Sequence, residues 1–365
     1  MRVLLIYPPI DDKVPAKSTL LGLGYLASVL RNSSHVVEIK DLIFDTRFQD
    51  FRGYDVICVS AMFTNNKKKL YEFLDYLSNF YPLIHTIVGG AHASTFPEEV
   101  IEHCDTVVCG EGEDVIRDII NNHTGGIVRA SRIKDLDRLP FPAWDLMWED
   151  IQEINRRNKG TPFHIRHPFI HMITSRGCPN ACTYCAVKVA WGRQWIPRSA
   201  KNVIDEIKQL RKLGFKEIHF NDDNCSISKE RMYEICDLIL SKNIHIKIAC
   251  PTGIHIGTLD RSLLTLMKKA GFYRLCFGIE TGNPERQKLI KKNLNLEKAK
   301  QVIREANDLG YWTSATFIFG FPNETQEQVN DTMKFIRESE MDFPIFYNLI
   351  PQPKTEIYDE CRCSL

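Results

Sequence analysis

Two periodicities alternate along this chain. The stretches "RVLLIYPP", "VVEIKDL", "DVICVSAMF", "HTIVGGAHAS" and "DTVVCGEGE" each run apolar for a few residues and leave into a polar or Gly-rich turn, as buried strands do. Between them, "LLGLGYLASVLRN" and "NKKKLYEFLDYLSNFY" space their apolar residues for one face of a helix. Strand and helix in repetition predict a parallel, doubly wound (Rossmann-like) sheet over residues 1–130, with ligands beyond the carboxyl ends of its strands. Gly and polar clusters fall at those ends: Ser60 to Asn65, with Thr64 among them, Gly89 to Ser94, and Gly110 to Glu113.

Residues 131–167 change character. "RIKDLDRLPFPAWDL" is broken by Pro140 and Pro142, and "EINRRNKGTPFHIRHP" is polar, so a linker of irregular structure is expected. From residue 168 the alternation resumes with a longer period. "FIHMITSRG", "KEIHFNDD", "HIKIACPTG", "YRLCFGIETG", "TSATFIFGFP" and "FPIFYNLIPQP" read as strands. Helices are predicted to begin after Ser199 and near Ser228, Asp260, Asn295 and Thr325. Six strand–helix units over 168–355 predict a barrel or partial barrel, with its chemistry at the carboxyl ends of the strands. Residues 356–365 are expected to form a short tail.

A length of 365 residues suits two domains, and 44% hydrophobic with 25% charged residues describes a globular chain. A net charge of +1 gives no electrostatic reason to expect nucleic acid. "MRVLLIYPPIDD" is too short in apolar residues for a signal peptide, and no run approaches a membrane span. Twelve cysteines scattered without a framework fit a reduced, cytoplasmic setting.

Three of those cysteines stand apart. "SRGCPNACTYCAV" brings Cys178, Cys182 and Cys185 together directly after a predicted strand. Three thiolates fall short of a structural zinc site, and no fourth Cys or His follows at zinc-finger spacing. A cubane iron–sulfur cluster also takes four ligands, but a loop that gives three leaves one iron open to a substrate or cofactor. The bland alternative is three incidental buried cysteines.

"CPNACTYC" resembles the CxxxCxxC loop of the radical S-adenosylmethionine (SAM) superfamily. Downstream, "WGRQWIPRS", "FNDDN", "GFYRLCFGIETGNPE" and "IFGFPNET" resemble its cobalamin-binding branch. The N-terminal part resembles the Rossmann-like cobalamin domain fused ahead of that branch, through "YPP", "GLGYLASVL", "VGGAHAS" and "GEGE". The resemblance implies an N-terminal cobalamin-binding domain followed by a partial (β/α)6 TIM-type barrel. It implies that Cys178, Cys182 and Cys185 hold a [4Fe-4S] cluster whose open iron chelates SAM, and that one electron cleaves SAM to a 5′-deoxyadenosyl radical.

The same resemblance suggests the remaining roles. Tyr184 lies near cluster and adenine, or is core. Asp222 or Asp223 meets the SAM ammonium, or caps a helix, with a magnesium pair as a weaker reading. Glu280, after a nearly all-apolar run, needs partners, which SAM ribose hydroxyls would supply. Pro251, Thr252 and Gly320 offer backbone contacts to SAM. The loops carrying Ser60, Thr64, Gly89, Gly90, His92, Glu111 and Gly112 would receive cobalamin, without an Asp-x-His motif to ligate cobalt. "GLGYL" lies within a helical pattern and is no nucleotide fingerprint. Cys361 and Cys363 could ligate a second cluster or belong to a mobile tail.

The expected activity is methylation of an unactivated carbon of a small-molecule or peptide-like substrate, with an external flavodoxin- or ferredoxin-type electron donor. Rearrangement, ring contraction, cyclisation or epimerisation without methyl transfer is the alternative, and a non-catalytic sensor a third.

Overall fold

The computed structural model describes residues 1–10, 19–43, 50–161 and 163–363, the last without its side chain. It divides into two units, Met1–Lys159 and Gly160–Leu365.

The first unit runs β1 (Arg2–Tyr7), α1 (Leu21–Arg31), β2 (Val36–Asp41), β3 (Val56–Ser60), α2 (Lys67–Phe80), β4 (His85–Gly89), the short α3 (Ala91–Thr95) and α4 (Pro97–Val100), β5 (Thr106–Cys109), α5 (Ile116–Asn122), β6 (Gly126–Arg129) and α6 (Trp148–Arg157). Its strands form one sheet in the order β2-β1-β3-β4-β5-β6, and every pairing is parallel. Both faces are covered, which is why β1 reads as an unbroken apolar run. Val3 and Leu5 pack with Leu23, Ala27 and Leu30 of α1, while Leu4 and Ile6 pack with Leu70, Leu74 and Leu77 of α2. The strand order reverses between β1 and β3, which opens a crevice at their carboxyl ends.

The segment expected to be an irregular linker contains one helix, α6, among otherwise irregular described residues, and as far as Lys159 it belongs to this unit. Trp144, Met147, Ile151 and Ile154 are buried, and the last two belong to α6. Met147, Ile151 and Ile154 carry helical spacing that the flanking prolines obscured. Gly24, in "GLGYL", lies inside α1, where Ala143 N–H donates to its carbonyl (3.0 Å) and an added Cβ would fall 2.6 Å from Met147 Cε. That glycine serves packing.

The second unit runs β7 (Phe169–Met172), β8 (Ser175–Arg176), α7 (Val187–Trp191), β9 (Ile196–Pro197), α8 (Ala200–Lys212), β10 (Glu217–Phe220), α9 (Lys229–Ser241), β11 (Lys247–Ile254), α10 (Arg261–Lys269), β12 (Phe272–Glu280), α11 (Pro284–Leu289), α12 (Leu296–Asp308), β13 (Trp312–Phe319), α13 (Gln326–Ser339), β14 (Phe343–Asn348) and α14 (Glu356–Cys363). Six parallel strands lie in chain order, β7-β10-β11-β12-β13-β14, with β7 and β14 at the two ends of the sheet. This is the expected partial barrel. Ser199, Ser228, Asp260, Asn295 and Thr325 each cap a helix, accepting from the backbone N–H three residues on.

The last segment forms a packed helix instead of a tail. Ile357 of α14 is buried against Ile290 and Phe321, and Cys361 packs on the same cluster. The side chain of Cys363 lies outside the described residues. Among the described residues, no helix is long and apolar enough to cross a membrane.

Candidate active site

The cysteine loop leaves the carboxyl end of β7 and is closed at its base by the two-residue antiparallel clip of β8 with β9. Cys178, Cys182 and Cys185 all line one cavity of ≈ 390 Å³ at the carboxyl ends of the strands. Their sulfurs are not gathered for a single ion. Among the described residues only one set of three, His164, Glu217 and His219, brings its ligand atoms within 4.8 Å of one another. A cubane needs no such convergence, because each thiolate binds a different iron. Burial pushes the Cys185 thiol up to about 11 and raises that of Cys182, and the Lys292 charge acts against both. Cationic iron would act in the same direction as that lysine.

Asp222 and Asp223 do different jobs. The Asp222 carboxylate is buried and accepts from Thr174 N–H (3.0 Å), Thr174 Oγ1 (2.8 Å) and Ser175 Oγ (2.5 Å). Burial raises its pKa, with those hydrogen bonds opposing. Its oxygens are committed to tying β10 to the entry of the cysteine loop. Asp223 is exposed and accepts from Gly177 N–H (2.9 Å), the residue before Cys178. Gly253 approaches the turn so closely that a Cβ would lie 2.4 Å from the Asp223 carbonyl.

Glu280 sits at a bulge in β12 with φ +71° and has a protein partner that sequence reasoning missed. Lys292 Nζ lies 2.9 Å from Glu280 Oε1, and Thr316 Oγ1 donates to both carboxylate oxygens at 3.2 and 3.3 Å. Lys292 also reaches the Tyr184 hydroxyl at 3.4 Å. Burial opposes the lysine charge, yet Glu280 and the Cys182 sulfur hold its pKa above the ordinary value. Burial likewise holds the Tyr184 phenol protonated, with Glu280 adding to the effect. Tyr184 is both cavity wall and core, packing edge-on to Phe321 at 6.1 Å.

Two further polar atoms were not anticipated. Asn224 Oδ1 and His255 Nδ1 are buried, line the cavity, and have no hydrogen-bond partner among the described residues. Burial and the charges of Lys292 and Lys298 lower the pKa of His255. Such orphaned atoms fit a cavity built for a polar ligand, because leaving them dry costs about 1–3 kcal/mol each. Asn224 was within the quoted "FNDDN", but its amide gave no signal beside two carboxylates. Thr252 lines the cavity, whereas Pro251 and Gly320 are not among its walls; Gly320 N–H donates to Glu324 (2.7 Å).

In the first unit, Ser60, Gly89 and Gly90 stand at the carboxyl ends of β3 and β4. Gly90 has φ +113°, and a Cβ there would fall 2.5 Å from the Ala61 carbonyl oxygen, so only glycine lets these two ends close up. Met62 and Phe63 follow β3 with side chains about half exposed, which presents an apolar rim beside the crevice. That rim and the glycine turn suit a large planar macrocycle. His92 points elsewhere. It is buried, with Nε2 on the Tyr71 hydroxyl (3.0 Å) and Nδ1 on Thr64 Oγ1 (3.2 Å), so both ring nitrogens and Thr64 itself are engaged in packing. Glu111 is also buried and anchors residues 132–133, accepting from Ile133 N–H (2.7 Å) and pairing with Arg132 (2.6 Å). Gly112 opens the short turn that precedes α5, with its Cβ position 3.3 Å from Leu26.

Comparison with known proteins adds two family matches. Residues 172–336 match the radical SAM superfamily, and residues 9–120 match the B12 binding domain. The chain is 28% identical over 98% of its length to an uncharacterized methyltransferase, PH0819, of Pyrococcus horikoshii, covering 83% of that protein. It is 27% identical over 99% of its length to the cytidylyl-2-hydroxyethylphosphonate methyltransferase of Streptomyces wedmorensis, covering 81% of it. It is also 27% identical, over 99% of its length and 70% of the relative's, to the anaerobic magnesium-protoporphyrin IX monomethyl ester cyclase of Rubrivivax gelatinosus. Its fold matches the radical SAM methyltransferase TsrM of Kitasatospora setae, solved with cobalamin and a [4Fe-4S] cluster. That match has a TM-score of 0.78 at 19% identity, over all of this chain and 78% of TsrM.

Proposed function

Because residues 172–336 match the radical SAM superfamily and residues 9–120 the B12 binding domain, we propose that this chain is a methyltransferase acting on an unactivated carbon of a small-molecule substrate. The carrying observation is the cavity that joins three loop cysteines to the unpartnered Asn224 Oδ1 and His255 Nδ1. When bound, a [4Fe-4S] cluster supplies the electron that cleaves SAM to a 5′-deoxyadenosyl radical, and cobalamin carries the methyl group.

The chain's residues hold and orient. Cys178, Cys182 and Cys185 supply the thiolates. Asn224 Oδ1 offers an acceptor to the ammonium of SAM, a part that the committed oxygens of Asp222 leave open. Thr252 and the Lys292–Glu280 pair bound the rest of the cavity and fix its charge. Cobalamin would sit on the glycine turn and apolar rim of the first unit without a ligand from His92, whose nitrogens are engaged. An external flavodoxin- or ferredoxin-type donor and a cytoplasmic setting complete the reading.

Cyclisation or rearrangement by the same apparatus is the second reading, favoured by the cyclase relative. The test compares metabolites of a host with and without the gene during feeding of methyl-deuterated methionine. A gene-dependent compound carrying one intact labelled methyl group is expected. A gene-dependent compound without label, alongside 5′-deoxyadenosine formation, would replace methyl transfer with the second reading.

A further inference from the structure

We propose that His164 Nδ1, His219 Nε2 and Glu217 Oε1 form a zinc-class divalent metal site at the amino end of the second unit's sheet. Glu217 is the first residue of β10, while the cysteine loop follows the carboxyl end of its parallel neighbour β7, so the two sites lie at opposite strand ends. The site is therefore separate from the SAM cavity, and none of its three residues lines that cavity.

The donor set is enclosed. The side chains of His164, Glu217 and His219 are 9%, 0% and 2% exposed. His164 Nδ1 lies 3.3 Å from His219 Nε2 and 3.7 Å from Glu217 Oε1, and His219 Nε2 lies 2.6 Å from that oxygen. Ligands at about 2.0–2.2 Å from a tetrahedral ion stand roughly 3.3–3.6 Å apart. Two of the three separations are close to that range. The third opens by less than about 1 Å as its hydrogen bond gives way to a bond with the metal, and the His164 ring turns to aim its lone pair.

Proton counting points the same way. His219 Nε2 carries one proton or one lone pair, never both. A proton given to Glu217 leaves His164 Nδ1 only a share of it. A proton given by His164 to His219 instead leaves two lone pairs facing each other at 2.6 Å. A cation satisfies all three atoms together. The surroundings hold the Glu217 carboxylate in place, as metal sites require. Glu217 Oε2 accepts from Ile165 N–H (3.0 Å) and Arg166 N–H (2.7 Å), which turns Oε1 toward the imidazoles. Tyr273 donates its hydroxyl to Oε1 (2.7 Å), and the His164 ring stacks on Phe169 at 3.8 Å. The Arg274 guanidinium donates to the Phe163 carbonyl (3.1 Å) and lies over the Phe163 and Trp312 rings. A metal here would clip the segment around His164 onto β10.

The full chain, prepared anaerobically with its cysteines already occupied by iron and sulfide, is dialysed against zinc and then against metal-free buffer. Retained zinc is counted by mass spectrometry and its donors are read at the zinc X-ray absorption edge. One zinc per chain with imidazole and oxygen donors at about 2.0–2.1 Å is expected. His164→Gln should lower retention at least about ten-fold, with iron content unchanged and a circular-dichroism spectrum that still reports a folded chain. Failure of the wild-type chain to retain zinc, or sulfur donors at about 2.3 Å, would overturn the site. Equal retention by a folded His164→Gln variant would overturn it as well. Should that variant unfold, the wild-type edge spectrum decides alone.

Discussion

Lys291 and Lys292 are adjacent in sequence and opposite in setting. Lys291 pairs with Glu356 at 2.5 Å with half its side chain in solvent, whereas Lys292 meets Glu280 at 2.9 Å with both side chains only 10–13% exposed. An exposed pair is worth about 1 kcal/mol or less, while removing one partner of a buried pair costs about 3–5 kcal/mol. Lys292→Met should therefore lower the urea midpoint strongly, and Lys291→Met should barely move it. Equal midpoints for the two variants would show that Glu280 finds another partner. The sequence revealed that Glu280 needed partners, because a carboxylate ends an apolar strand. It did not reveal which ones, since nothing in "LIKKN" separates an inward lysine from an outward one. The choice is made by where α11 ends against the cavity.

At the scale of the element, what was local was readable. Each helix start expected in the second unit proves to be a cap, because capping depends on a side chain and the three residues after it. Asp260 adds a pH dependence. Its carboxylate accepts from Leu263 N–H (3.0 Å) and Ser262 Oγ (2.6 Å) and pairs with Lys229, and the backbone hydrogen bond leads in holding its pKa below the usual range. With the folded pKa below the unfolded one, the unfolded chain binds the extra proton. The cap's stabilisation is thus present above about pH 4 and fades as pH falls further. Asp260→Ala should cost about 1 kcal/mol at pH 7 in denaturant titrations, with the gap to wild type closing in acid. A gap that stays constant down to the acid transition would assign the loss to packing. Helix α6 was harder to read, because its apolar spacing only acquires meaning beside Trp144 and the face of α1 that Gly24 leaves open.

For the whole molecule, the second sheet's six strands and five of the first sheet's six were legible, and their parallel order followed from alternation with helices; β6, four residues long and not buried, gave no signal. Long-range placement was not. The inward turn of His92, the anchoring role of Glu111 and the packing of α14 depend on residues far away in the chain. The buried clusters on the first sheet contain no residue of the second unit, and the three loop cysteines belong to the second unit. Changing Cys178, Cys182 and Cys185 together to Ala should abolish bound iron and leave the corrin absorption of the cobalamin-loaded chain intact. Loss of both signals at once would mean that the first unit does not hold cobalamin by itself.

The packed helix α14 also sets a schedule for the cysteine loop. Thr183, between the second and third cysteines, donates its N–H to the Ile290 carbonyl (3.1 Å) and accepts from Ile357 N–H (3.2 Å). Both latching residues are synthesised well after the loop. At about 5–20 residues per second, roughly ten seconds or more separate the emergence of Cys185 from that of Ile357. During that interval the three thiols hang from the ribosome on an unfastened loop, open to delivery of iron and sulfide. Chains stalled on the ribosome before α14 should therefore take up iron faster than the finished apo-protein, as followed by radiolabelled iron. Equal rates would mean that the fastened loop admits the cluster as readily as the nascent one.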